Sequence, residues 1–387
     1  MSVASFLESR GSAWERTVAR VENTTPPERN RVIDALRAGS ILCVILGHWL
    51  VTAPVIEQSS VRITSPLTAM PSLTPLTWAL QVLALFFFVG GFANSRSLAS
   101  ARAAGRGYVA WLAGRARRLG HPMAVQLVVW AGVAGLAVTV GVPATVLQVV
   151  GLLVVQPLWF IVVYLLITAL TPAVVAAYQR LGLWATVASG LVVGVVDLLQ
   201  FGPGTPAVGE LRWVTVVFAW LVAYLLGVAW ANGALQSRRA ALLLAAGGGA
   251  LASALISWGG YPASMVGVTG AERSNLSPPS LLVPAVACLQ IGVALLTRDR
   301  LARLLQRPQI WTLTTLMNRS AMTLFLWHQT ALVIVTLALA PWSQVPGLHT
   351  VPSTPAWIWA RLGWMPLVAG VLTILWAGFR RFERAAG

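Results

Sequence analysis

Ten long apolar runs, separated by short polar connections, cover most of the chain. Their limits lie at 32–53, 75–95, 122–141, 150–175, 183–200, 212–232, 240–258, 280–297, 313–340 and 357–379. A helix rises about 1.5 Å per residue, so roughly twenty apolar residues cross a hydrocarbon core about 30 Å thick. The pattern therefore predicts an all-α, polytopic integral membrane protein with about ten transmembrane helices. No intervening segment is long and polar enough for a separate soluble domain, and no inverted repeat of the transporter type is visible. The chain divides into a tail at 1–30, a membrane domain at 31–380 and a short tail at 381–387. In the first tail Arg10, Arg16, Arg20 and Arg29 are balanced by Glu8, Glu15, Glu22 and Glu28. It lacks the apolar core of a cleavable signal and reads as partly helical at best.

Composition sharpens this picture. Of 387 residues, 57% are hydrophobic and only 10% charged, where a soluble domain carries about a quarter charged. The net charge of +16 comes from 27 basic residues, all arginine. They do not form the single basic face that nucleic acid requires. Instead 22 lie in or beside the connections at 1–31, 96–121, 176–182, 233–239, 298–312 and 380–387, Arg37 included. Four (Arg62, Arg212, Arg273 and Arg361) belong to the opposite side, and Arg319 sits near the inner end of the ninth run. By the positive-inside rule both termini are cytoplasmic, which suits a bacterial inner membrane or a plasma membrane. Cys43 and Cys288 fall inside apolar runs, so neither a disulfide nor a metal site is expected. The connections at 54–74, 259–279 and 341–356, rich in Pro, Ser, Thr and Gly, read as ordered caps.

Ionisable groups inside the membrane are costly and point to function. The first run contains "RAGSILCVILGH". Eleven helical steps return nearly to the starting direction, so Arg37 and His48 share a face about 16 Å apart along the axis. Asp34 lies one turn below Arg37 and is expected to pair with it. Arg37 is also shallow enough to snorkel. His48 sits in the outer half of the membrane, where an imidazole suits proton transfer. His328, in "TLFLWHQTAL", falls at about the same depth on the ninth run, and a helix–helix hydrogen bond explains it equally well. Gly90 and Gly91 read first as a close helix contact. On the inner side Arg115 and Arg118, three apart, fit either topology or a phosphate-bearing ligand. His121, before Pro122, marks a helix start.

Taken in order, these motifs resemble the acyltransferase-3 family of integral membrane acyltransferases. "RVIDALRAGSILCVILGH" is similar to its opening Arg…His signature behind an acidic residue, and "LFFFVGGF" to its Phe-rich motif, with Gly90 where Ser is usual. "GRARRL" resembles its inner pair of arginines, while "PLWFIVVYL" and "LFLWH" resemble its Leu-Trp-Phe and late His elements. The likeness covers about 31–380. It implies transfer of an acyl group, often acetyl, from cytoplasmic acyl-CoA (acetyl-CoA as the expected donor) to a hydroxyl or amine of a glycan, lipid or small molecule. On that footing Arg115 and Arg118 would hold the nucleotide phosphates. The thioester arm would pass Arg37, fixed by Asp34. His48 would act as general base or nucleophile, and His328 would orient or stabilise the acyl oxygen. No metal is implied, the partners are membrane lipids and substrates rather than nucleic acid, and whether the chain forms a homodimer is left open. A proton-coupled transporter using the Arg37–His48 stripe is the alternative. The scarcity of intramembrane carboxylates, Asp34 and Asp197 alone, weighs against it.

Overall fold

The computed structural model describes residues 12–57, 60–202, 209–271, 273–342 and 344–384. Among them ten helices are long and apolar enough to cross a membrane, with almost no sheet. The chain opens with α1 (Ala13–Asn23), closed by a capping box in which Ser12 Oγ accepts from Glu15 N and the Glu15 carboxylate accepts from Ser12 N. Its Val21 packs against Leu305 and Trp311. Residues 12–23 thus form a capped helix docked on the bundle, and residues 1–11 of the expected tail lie outside the described residues. Then follow α2 (Arg31–Val51) and a hairpin of β1 (Ala53–Glu57) and β2 (Ser60–Thr64), in register Ala53↔Thr64 to Glu57↔Ser60. Short helical turns at Pro66–Ala69 and Leu76–Leu80 lead into α3 (Leu83–Ala103).

The third apolar run starts earlier than expected. Helix α4 spans Tyr108–Thr139 and continues through Pro122. His121 is therefore within the helix, its Nδ1 2.9 Å from Phe382 O, and not at a start. The fourth run is divided by Pro157 and Pro172 into α5 (Ala144–Val155), α6 (Leu158–Ala169) and α7 (Thr171–Leu181). Next come α8 (Trp184–Phe201), α9 (Thr215–Ala231), α10 (Arg238–Ser257) and α11 (Leu282–Leu304). The ninth run breaks at Ser320 into α12 (Pro308–Arg319) and α13 (Ala321–Ala338), and α14 (Pro355–Arg384) closes the fold.

Packing sorts these helices. Nearly every side chain in the middle of α9 and α13 is buried, and the two form the centre of the bundle. Helices α4 and α14 turn Val128, Leu136, Trp359 and Ile374 outward, as lipid-facing helices do. Helix α3 crosses α9 in close contact. A Cβ on Gly91 would lie 2.0 Å from Tyr224 O, and one on Gly227 2.0 Å from Phe88 O, so only glycine fits at either place. The arginine-rich connections gather at one end of the bundle. There Arg31 donates to Glu22 and to Leu305 O, and Arg298 donates to Gln236 O. Glu383 accepts from Met322 N, Thr323 N and Thr323 Oγ1, capping α13 from within the segment expected to be a C-terminal tail.

Candidate functional site

The interior carries polar groups at two levels. At the upper level α2 and α13 bring His48 and His328 together, ring centroids 5.0 Å apart. Positions 37, 41, 44 and 48 form one stripe of α2, and Ile41 and Val44 are buried, so the stripe faces protein rather than lipid. The same two residues are apolar, so the stripe itself is not a continuous polar path. His328 is fully buried, and Trp49 Nε1 donates to its carbonyl at 2.9 Å. Its Nδ1 lies 2.5 Å from Phe325 O. A carbonyl only accepts, so the neutral ring holds its proton on Nδ1 and presents a lone pair at Nε2, which has no partner.

His48 is half-buried, and Nδ1 receives Gln329 Nε2 at 3.2 Å. The same amide nitrogen donates to Thr52 Oγ1 at 3.3 Å, and Gln329 Oε1 is buried and unpartnered. In this orientation the neutral His48 ring carries its proton on Nε2. Turning the amide over would let its oxygen accept from Nδ1–H and free Nε2 as a base. Beyond Thr52 stands Arg361, 1% exposed, with Nη2 donating to Thr52 O at 2.6 Å and its guanidinium 4.7 Å from the Trp357 ring.

The lower level lies toward the arginine-rich end. Asn94 Nδ2 donates to Thr168 Oγ1 at 3.1 Å, and Thr171 Oγ1 meets Tyr224 Oη at 2.7 Å. Arg115 donates through Nε to Asn94 Oδ1 at 3.0 Å and through Nη2 to Ser97 Oγ, and stacks 4.2 Å from the Trp111 ring. Arg118 is exposed. The two arginines therefore do not converge as a pair: one is held inside, the other is free at the surface. Between the levels the rings of Tyr164, Phe160, Phe325 and His328 follow one another at 5.9, 5.7 and 5.9 Å.

Two further expectations need correction. Asp34 is buried and bonded to Arg29 Nε at 2.7 Å, not to Arg37. A residue at N-terminal distance five reaches it because Asn30 caps α2 and turns Arg29 back along the helix start. Arg37 is half-buried, and among the described residues its side chain makes no hydrogen bond or ion pair. The cavity lined by Pro54, Val150 and Val333 and the one lined by Asp197, Arg212 and Arg273 include none of Arg37, His48, Arg115 or His328. Among the described residues no three His, Cys, Asp or Glu side chains are grouped as for a metal.

Sequence reasoning missed Gln329, Thr52, Asn94, Tyr224 and Arg361. The signals were present for two of them: Gln329 adjoins His328, and Arg361 is a charge inside the tenth run. Comparison with known proteins gives one finding. The model of a family described as an acyltransferase domain matches residues 30–379. No curated protein and no solved structure matches.

Proposed function

Because the chain belongs to the acyltransferase-3 family, and so is an acyltransferase carried on membrane-spanning helices, we propose that it takes an acyl group, acetyl in the first instance, from acyl-CoA. The acceptor is a hydroxyl or amine of a glycan, lipid or small molecule, and His48 is the reacting side chain. The positive-inside rule puts the arginine-rich end in the cytoplasm, where the donor is made. The observation that carries this reading is the His48 environment. The ring lies on a protein-facing stripe, against His328, with Nδ1 held by Gln329 and no protein partner on Nε2 among the described residues.

With the Gln329 amide turned, His48 Nε2 removes the proton from the acceptor as its oxygen or nitrogen attacks the thioester carbonyl. The C–S bond breaks, and the imidazolium returns that proton to the leaving thiolate. The products are acylated acceptor and free thiol. In the nucleophilic version Nε2 attacks the thioester carbonyl, the C–S bond breaks and the thiolate leaves; the acceptor then takes the acyl group from Nε2, which regains its lone pair, and the acceptor's proton goes to the thiolate. His328 does not serve as the oxyanion donor while neutral, since its one N–H is spent on Phe325 O. Its free Nε2 instead offers a second place for the proton. At the lower level the exposed Arg118 is available to the donor's phosphates, whereas Arg115 holds Asn94 and Ser97.

The test is thiol release from acyl-CoA by the purified protein, with and without acceptor extracts. His48→Ala should release none while keeping the wild-type unfolding midpoint. Normal release by that variant would reject the role. Solute flux without thiol release would select the transporter instead.

A further inference from the structure

Away from both levels, at the opposite end from the arginine-rich connections, α8, Arg212, the start of α9 and residues 273–280 enclose a cavity of about 160 Å³. Arg212 and Arg273 both line it, with Asp197, Gln200, Ser274 and Ser280. The Arg273 guanidinium is held between two rings, 3.7 Å from the Phe201 centroid and 3.9 Å from that of Tyr261. Stacking on both faces leaves only its edge for hydrogen bonding. Nε and Nη2, the two groups of that edge that together match a carboxylate or phosphate, are buried without a partner, as is Arg212 Nε.

Asp197 lies in the field of Arg273, but its hydrogen bonds go elsewhere. Its Oδ2 accepts from Tyr261 Oη at 2.8 Å and from Leu281 N at 2.7 Å, and no salt bridge to either arginine exists among the described residues. Burial and the adjacent Asp197 raise the Tyr261 phenol above its ordinary range, so it remains a donor. Among the described residues the lining thus holds two cations against one carboxylate, and Arg212 Nε and Arg273 Nε and Nη2 have no hydrogen-bond acceptor.

We propose that this cavity binds one anionic group, a carboxylate or phosphate, between Arg212 and Arg273. Its size admits a head group or a single charged substituent rather than a whole lipid or sugar chain. None of its lining residues belongs to the levels of His48 or Arg115.

The test uses full-length protein in phosphatidylcholine nanodiscs, with the thermal midpoint followed against inorganic phosphate or glucuronate and glucose as neutral control, at constant ionic strength. Ligands of the folded state raise the midpoint by mass action. Phosphate or glucuronate should raise it and glucose should not, and Arg273→Gln or Arg212→Gln should weaken the apparent affinity at least tenfold. A rise seen only when phosphatidylglycerol replaces part of the phosphatidylcholine, and lost in the same variants, assigns the anion to a lipid head group. A rise with the free anions assigns it to a soluble ligand. No rise in any arm, or a rise that persists in both variants, overturns the proposal. Should Arg273→Gln fail to fold, persistence in Arg212→Gln alone does so.

Discussion

Gly91→Ala is the sharpest probe of how the interior is held. The added Cβ would stand 2.0 Å from Tyr224 O, where ordinary contact begins at 3.4 Å, so α3 and α9 must part by about 1.4 Å. The opposing atoms are backbone, and no rotamer can relieve the overlap. Overpacking a tight core costs about 1–3 kcal/mol, and a clash between two helix backbones belongs at the upper end. Alanine recovers up to about 1 kcal/mol of helix propensity. The expected net loss is therefore about 2 kcal/mol. Gly227→Ala, which meets Phe88 O at 2.0 Å across the same crossing, should behave alike. Gly39→Ala is the control: nothing lies within 4 Å of its Cβ position, so only the propensity gain applies. Thermal unfolding in detergent should lower the midpoint of Gly91→Ala by several degrees and leave Gly39→Ala level or slightly higher. Equal midpoints for the two variants would refute the reasoning.

Three other perturbations separate roles that the structure keeps apart. Gly90→Ser, which installs the residue usual in the family, puts a Cβ 2.7 Å from Tyr164 Cε2; it should lower the midpoint alone and regain much of the loss with Tyr164→Val, and strict additivity of the two would count against the contact. Glu383→Ala removes three hydrogen bonds from the start of α13 and should cost about 1–2 kcal/mol by chemical denaturation, as a lost N-cap does; an unchanged midpoint would mean the cap is dispensable. Arg118→Ala should raise KM for acyl-CoA with little change in kcat or stability, whereas Arg115→Ala, which strips Asn94 and Ser97 of their partner, should lower the thermal midpoint as well; identical effects would restore the paired clamp.

The bundle was legible in the sequence because hydropathy is a sum over twenty residues, and single exceptions do not hide it. Breaks inside the runs were less so. Pro157 and Pro172 divide the fourth run while Pro122 leaves α4 whole, and hydropathy alone does not distinguish these cases. Matched depth of His48 and His328 followed from helix rise alone, but depth cannot say which faces meet. That required the α2–α13 packing, which also brings in Gln329 and Thr52. The Asp34–Arg37 pair failed because spacing along a helix offers candidates and the cap decides among them. Asn30 closes the start of α2, and the preceding Arg29 reaches the carboxylate first.

The four arginines on the sparse side teach a different lesson. At the crowded end an arginine needs no individual explanation, since anchoring that end against crossing the membrane is sufficient. At the other end the same residue works against orientation, so each one must be held by what it touches. Arg361 is 1% exposed and bonded to the carbonyl that ends the His48 helix, and Arg212 and Arg273 line one cavity. A charge ratio of 22 to 4 is thus two statements in one. The majority is what the positive-inside rule reads as direction. The minority marks where local packing must hold a cation, buried at Arg361 and half-buried at Arg212 and Arg273.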